Sequence, residues 1–186
     1  MKHYIRLVLI GIFTVVISAY SQAQVIERSE QETLIYLSDL GDDKQTSPMD
    51  TIQTLDPIIS QSKQRGWRKV YLEAITLKIE KLVNLERISE AQEQLGEVIP
   101  VAQEFDNAVI LVRLAIAELN VLERQGYSEE LNNKYRFLLT QAETIQNEDL
   151  IGQIYLAAGR MKSRVGDYTE ALVSLRKSLQ YCRKIK

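Results

Sequence analysis

From residue 67 to the end, apolar residues recur at steps of three and four, the spacing that places side chains on one face of an α-helix. The same pattern returns every 40 residues. Residues 67–106, 107–146 and 147–186 overlay without a gap. In the first half of each block the overlay aligns Val70, Ile110 and Leu150; Ala74, Leu114 and Ile154; and Ile75, Ala115 and Tyr155. In the second half it aligns Ala91, Leu131 and Ala171; Leu95, Tyr135 and Leu175; and Ala102, Ala142 and Cys182. Glu86, Gly126 and Gly166 share the position between the halves. Each block therefore predicts two helices of roughly 15–20 residues joined by a short turn. One such hairpin cannot bury its own apolar face, whereas stacked hairpins form a continuous core. The expected fold is all-α, with antiparallel helical hairpins stacked into a solenoid of 40-residue period.

The residues at the breaks fit helix ends. Gly166 supplies a left-handed stop, Asp167 an N-cap, and Glu170 stands three residues on as its reciprocal partner. Ser89 with Gln92 repeats that spacing in the first block. Ser128 follows Gly126 in the second, and Asp106 is placed to cap the helix that opens that block. Upstream, residues 24–66 predict half to one further unit of atypical or capping helices. They offer a short helix around 27–40, a loop at GDDKQTSP, and a helix capped by Ser47 with Asp50 and beginning at Pro48. Pro57 is expected to interrupt or kink that helix and Gly66 to end it.

Residues 1–24, MKHYIRLVLIGIFTVVISAYSQAQ, follow another logic. Lys2 and Arg6 precede an uncharged apolar run at 7–20, and Ser21-Gln22-Ala23 places small residues at two positions before Gln24. This is the pattern of a cleaved export signal over residues 1–23. The run is short for a membrane span, which needs about 20 residues; an uncleaved anchor is the alternative. The later stretch VILVRLAIAEL at 109–119 carries charges at helical intervals and reads as a helix buried on much of its surface. The expected address is periplasmic, with secretion or membrane anchoring as alternatives. Membrane attachment is expected only through an uncleaved signal or a missing C-terminal region.

The third block carries a specific motif. From Gly152 it reads GQIYLAAGRMKSRVGDYTEALVSLRKSLQYCR. Tyr155, Ala158 and Gly159 fall in its first helix, Gly166 and Tyr168 at the turn, and Ala171, Leu175 and Ser178 in its second. This resembles the tetratricopeptide repeat, in which a large residue is followed by a small pair including Gly and then by Gly-x-Tyr-x-x-Ala. The likeness covers 67–186 and is closest over 152–183. Ile79, Glu86 and Ile88 depart from it in the first block, Leu119 and Ser128 in the second. The period of 40 exceeds the family's usual ~34, so longer helices are expected. The resemblance implies an α–α superhelix, with Gly159 and Ala171 allowing a close helix crossing. It also implies a concave groove, lined by the first helices, that receives a protein or peptide segment.

Composition and charge narrow the chemistry. Hydrophobic residues at 45% and charged residues at 26% are ordinary globular values, and 8 Gly with 3 Pro leave room for long helices. Without Lys2 and Arg6 the chain holds 21 basic and 25 acidic residues, a mildly acidic balance that does not favour nucleic acid as a partner. The one histidine, His3, lies in the export signal, and Cys182 is the one cysteine. An internal disulfide, zinc sites of Cys and His, and Ser-His-Asp or Cys-His catalysis are thereby excluded. Cys182 reads as a small, partly buried helix residue. Acidic pairs such as Glu27 with Glu30, Asp42 with Asp43, and Glu129 with Glu130 read as solvated faces, loops or helix starts. The chain lacks a glycine-rich phosphate cradle, and Gly41-Asp42-Asp43 lacks the further oxygen ligands of a calcium loop. No catalytic, cofactor-binding or metal-ligating residue is expected. Tyr71, Tyr135, Tyr155 and Tyr168 read as packing residues, and Trp67 beside Arg65, Arg68 and Lys69 as a hairpin junction or a basic rim.

These readings lead to a non-catalytic exported helical-repeat scaffold that binds a protein or peptide. The candidate groove residues are Arg68 and Glu73, Arg113 and Glu118, and Gln153 and Arg160, contributing charge and hydrogen bonds from the first helices. The alternative is a periplasmic sensory input region. The layout is similar to bacterial sensors whose periplasmic tetratricopeptide repeats precede a membrane helix and a cytoplasmic diguanylate cyclase or histidine kinase domain. The chain stops at Cys182-Arg-Lys-Ile-Lys without a polar capping helix. The expected consequence is an exposed apolar stacking face, read as truncation, as self-association, or as a place for a completing partner.

Overall fold

The computed structural model describes residues 28–126 and 129–184, and these form eight α-helices. They are α1 (Glu30–Asp42), α2 (Pro48–Arg65), α3 (Arg68–Asn84), α4 (Ile88–Phe105), α5 (Ala108–Gln125), α6 (Glu129–Thr144), α7 (Glu148–Arg164) and α8 (Tyr168–Lys184). The all-α class read from the periodicity is what the described residues adopt. The expected export signal and the expected cap Ser128 lie outside them. No described helix is long and apolar enough to cross a membrane.

Helix starts keep the spacing of the sequence. α3, α5 and α7 open at 68, 108 and 148, and α2, α4 and α8 at 48, 88 and 168. The register therefore reaches back to α2, beyond the three blocks of the overlay. Its physical origin is the way each helix stops. Gly66, Glu86, Asp106, Gly126, Gln146 and Gly166 all have positive φ, one at every twentieth residue. At four of these turns the chain closes by the same pair of backbone bonds. Trp67, Arg87, Asn147 and Asp167 donate to the carbonyls of Ser62, Leu82, Ala142 and Lys162 at 2.9–3.2 Å. The residue before each donates to a carbonyl three back, and together these satisfy the orphan acceptors of the helix end.

Side chains cap the other ends. Ser29 and Glu32 form a reciprocal capping box, Ser47 accepts from the Asp50 amide at 3.2 Å, and Asp167 accepts from the Glu170 amide at 3.3 Å. Asn107 and Asn147 do the same for α5 and α7. Several expectations change here. Asp106 does not cap α5 but is the left-handed residue that ends α4, because its neighbour Asn107 takes the cap. Ser89 lies one residue inside α4, which starts after Arg87 without a side-chain cap. Glu170 does not close a box with Asp167, since its carboxylate meets Lys162 at 3.1 Å. Pro57 does not interrupt α2, which runs through it with Leu55, Ile58 and Ser62 buried around it.

The second helices bury one narrow seam. Thr51, Leu55, Ile58 and Ser62 of α2 correspond to Ala91, Leu95, Val98 and Ala102 of α4 and to Leu131, Tyr135, Leu138 and Ala142 of α6, and all are buried. The steps of four, three and four keep these residues on one stripe. In α8 the stripe weakens: Ala171 and Ser178 are buried, Leu175 is half-buried, and Cys182 is exposed rather than partly buried. Tyr168, expected to pack, is also exposed, because the turn before α8 leaves it on the outer side.

The described chain divides into two compact units, one up to Ala74 and one from Ile75 on. The first buries Leu37 and Leu40 of α1, the α2 seam, and Val70, Tyr71, Leu72 and Ala74 at the start of α3. In the second, α4 packs on α5, α5 on α6, α6 on α7 and α7 on α8, while α5 also packs on α7. Helix packing of this kind is consistent with a helical-repeat arrangement. Its core joins Val112, Ile116 and Leu119 of α5, the α6 seam, and Leu150, Ile154, Ala157 and Met161 of α7. Each fully buried Leu or Ile contributes about 1.5–3 kcal/mol relative to exposure.

In the last hairpin α7 crosses α8 closely. A Cβ at Gly159 would stand 2.7 Å from Leu175 Cγ and 3.3 Å from the Ala171 carbonyl oxygen, and one at Gly152 would stand 3.3 Å from Tyr181 Cβ. Tyr155 stacks on Tyr181 at 5.9 Å between ring centroids. The corresponding first-helix residues Ile79 and Leu119 are full-sized and buried, so this crossing belongs to the third hairpin alone among those three.

Three substitutions test these contacts. Gln146 spends its left-handed conformation on a residue with a Cβ, which costs about 1–2 kcal/mol. Gln146→Gly is expected to raise urea-unfolding stability by about 0.5–1 kcal/mol after the extra chain entropy of glycine, and Gly166→Ala to lower it by about 1 kcal/mol. Gly159→Val overpacks the α7–α8 crossing and is expected to lower stability by about 1–3 kcal/mol in the same measurement.

A candidate binding groove on the first helices

Within the second unit α5 lies against α7, so residues 40 apart come side by side. Arg160 donates to Asn120 Oδ1 at 3.0 Å, a bond between two positions of the same register. Glu80 continues that row on α3, and Arg113 Nη2 stands 3.9 Å from its carboxylate. Arg124 pairs with Glu86, and Gln125 donates to Gln92 at 3.0 Å. These polar rows flank a cavity of about 180 Å³ whose apolar lining comes from Val83, Ile116, Ala117 and Leu156. Leu156 is 40% exposed, an open apolar side chain among polar neighbours.

A buried charge lies beneath the row. The Glu123 side chain is only 4% exposed, and its Oε1 accepts no hydrogen bond from the protein. Arg164 Nη1 stands 3.5 Å away as an ion-pair partner. The same residue lines the first cavity and a second of about 180 Å³ with Gly126, Met161, Arg164 and Val165. Burial pushes the Glu123 carboxyl above its ordinary range, against the opposing pull of Arg164, Arg160 and Arg124. The Tyr135 hydroxyl of α6 is buried without a hydrogen bond too. Burial first, and the Glu123 charge second, push its phenol above the ordinary range. Two polar groups thus sit in an otherwise apolar core where α5, α6 and α7 meet.

The sequence-selected residues distribute unevenly. Gln153 and Arg160 both line the groove. Arg113 stands at its edge through Glu80, while Glu118 pairs with Lys134 of α6 at 3.1 Å. Arg68 and Glu73 lie in the first unit. Of the motif residues, Gly159 and Ala171 meet at the α7–α8 crossing, Tyr155 and Ala158 are half-buried, Gly166 forms the turn and Tyr168 is exposed. The sequence reading passed over Asn84, Asn120, Glu123, Arg124 and Leu156. Counting back 40 from Arg160 reaches Asn120, so the register alone points to that residue. Glu123 follows Val112, Ile116 and Leu119 at steps of four, three and four, and an acid on that stripe was a visible signal.

Among the described residues no group of three or more His, Cys, Asp or Glu side chains is arranged to hold a metal ion. The cavity presents hydrogen-bonding groups, side chains of both charges and an apolar floor. No protein-family model, curated protein or solved structure matches the chain.

The Glu123 environment makes a pH prediction. Its folded-state pKa lies above the ordinary 4.5, so between those values the native chain holds the extra proton. Stability therefore rises as pH falls through that window and is lowered as the buried carboxyl gives up its proton at higher pH. Glu123→Gln mimics the neutral form and is expected to raise the Tm at pH 7. The gain should shrink as pH is lowered toward 4.5. A variant less stable than wild type at pH 7 would show that the Arg164 pair outweighs desolvation.

Proposed function

We propose that this chain is a non-catalytic, exported helical-repeat scaffold of the tetratricopeptide type, and that the groove on α3, α5 and α7 receives a segment of a protein or peptide partner. The observation that carries the reading is the polar row of Glu80, Asn120 and Arg160 beside the open Leu156. A row running from helix to helix matches a partner that lies across them, with main-chain groups bonded by Asn120 and Arg160 and an apolar side chain on Leu156 and Ile116. Hairpins of 40-residue register and the Gly159–Ala171 crossing support the repeat type. The N-terminal export pattern supports the address.

A second reading, a periplasmic sensory input region, is favoured by Glu123 and Tyr135. Polar groups without hydrogen bonds beneath a groove respond to whatever covers Arg160 and Arg164, because a change in local charge shifts the balance of a desolvated acid.

Selection from a random peptide library tests the first reading. Peptides enriched on the wild-type chain are expected to bind Leu156→Glu and Arg160→Gln at least 10-fold more weakly, about 1.4 kcal/mol, while Leu156→Glu keeps the wild-type Tm and both variants keep the wild-type helicity. Peptides that bind wild type and both variants equally would place recognition elsewhere.

A further inference from the structure

α8 presents a second apolar stripe beside the one that packs on α7. Tyr168, Leu172, Leu175 and Leu179 follow one another at steps of four, three and four, so they share a face. Leu172 and Leu179 are 57% and 58% exposed, and Leu175 is half-buried. One register earlier, the positions of Leu175 and Leu179 are Tyr135 and Leu139 of α6. Tyr135 is 4% exposed and Leu139 packs against the same core, where α7, the first helix of the next hairpin, lies on α6. The stripe on α8 thus has the form of a surface that a first helix covers.

Charge selects the helix. Arg176 and Arg183 border the stripe on its solvent side, while Lys177 and Lys184 turn to Tyr155 and Glu148 of α7 and the single acid, Glu170, meets Lys162. Two α8 stripes facing each other would bring the arginines together, which disfavours a symmetric pairing. α1 is the opposite case. It holds Glu30, Glu32, Asp39 and Asp42 and no basic residue. Its face away from Thr33, Leu37 and Leu40 shows Ile35, 55% exposed, beside the half-buried Leu34. We propose that α1 of a second copy docks on the Leu172–Leu179 stripe of α8, so that copies associate head to tail through an acidic helix on a basic one. This contact is heterologous, with a different surface on each side. A single helix pair buries less than a standard interface, so the association is weak and concentration-dependent.

The interface is tested by sedimentation velocity on the chain recovered after export, over a range of concentrations at low salt. Wild type is expected to gain mass with concentration and to lose that gain in high salt. Leu172→Glu with Leu179→Glu should be monomeric, as should Asp39→Lys with Asp42→Lys; these positions are exposed, and each variant is checked for wild-type helicity and Tm. Mixing the two monomeric variants leaves one intact α8 and one intact α1, and a head-to-tail contact then yields a heterodimer. Three results overturn the proposal: a wild-type monomer at every concentration, association indifferent to the α1 reversal, or no heterodimer on mixing. The second points to symmetric pairing of α8 and the first to a different occupant of the stripe.

Discussion

The structure depends on a helix stop placed at every twentieth residue. A helix presents a narrow apolar stripe, and hairpins stack in register only when every helix starts its stripe at the same phase. The residues of positive φ from Gly66 to Gly166 set that phase, and four of the turns repeat one pair of backbone bonds. Where glycine stands at this position the conformation is inexpensive. Glu86, Asp106 and Gln146 adopt it with a Cβ, so the surrounding packing holds them there. Positive φ is thus kept while the residue type varies, and so a spacing is easier to trace in this chain than a motif.

Register then determines chemistry. With α5 against α7, residues 40 apart become neighbours, and Arg160 meets Asn120. Arg124 meets Glu86, and Arg164 meets Glu123, across similar separations. Ion pairs on such exposed edges contribute roughly 0–1 kcal/mol, so they fix alignment more than they stabilise. Glu123 is a different case, because its burial makes the carboxylate costly unless it is well partnered. A chain selected only for stability would place a leucine on that stripe, as it does at Leu119 one turn earlier.

The fold was largely legible because long helices with regular spacing leave a strong periodic signal, and the positive-φ turns at Glu86, Gly126 and Gly166 fall at one position that the overlay aligned. Local details were less so. Asp106 and Asn107 are both good capping residues, and only the backbone shows which of them takes the cap. Pro57 carries a helix-breaking signal of about 3 kcal/mol, yet buried neighbours on either side keep α2 continuous. The phase of the candidate groove was not legible. α5 is apolar around most of its surface, with Ile110, Val112, Leu114, Ile116, Ala117, Leu119 and Val121 all buried, so its few charges did not reveal which side faces the groove. Glu118 therefore looked equivalent to Arg113, although it pairs with α6.

The two ends of the described chain show how the same register gives different surfaces. A stripe like that of α4 or α6 is buried when another first helix lies on it, and α8 keeps its apolar character at Leu172, Leu175 and Leu179. Self-avoidance would replace such residues with charges on the stripe itself. Instead the charges stand beside it, at Arg176 and Arg183, where they leave the apolar contact intact and discriminate among helices by sign. Apolar residues provide attraction for any amphipathic helix, while the flanking arginines penalise a basic one and favour an acidic one. α1 meets both requirements, with Leu34 and Ile35 among acids and no base. The α8 stripe thus follows the logic of α4 and α6, with an apolar packing face like theirs and an electrostatic border that distinguishes it.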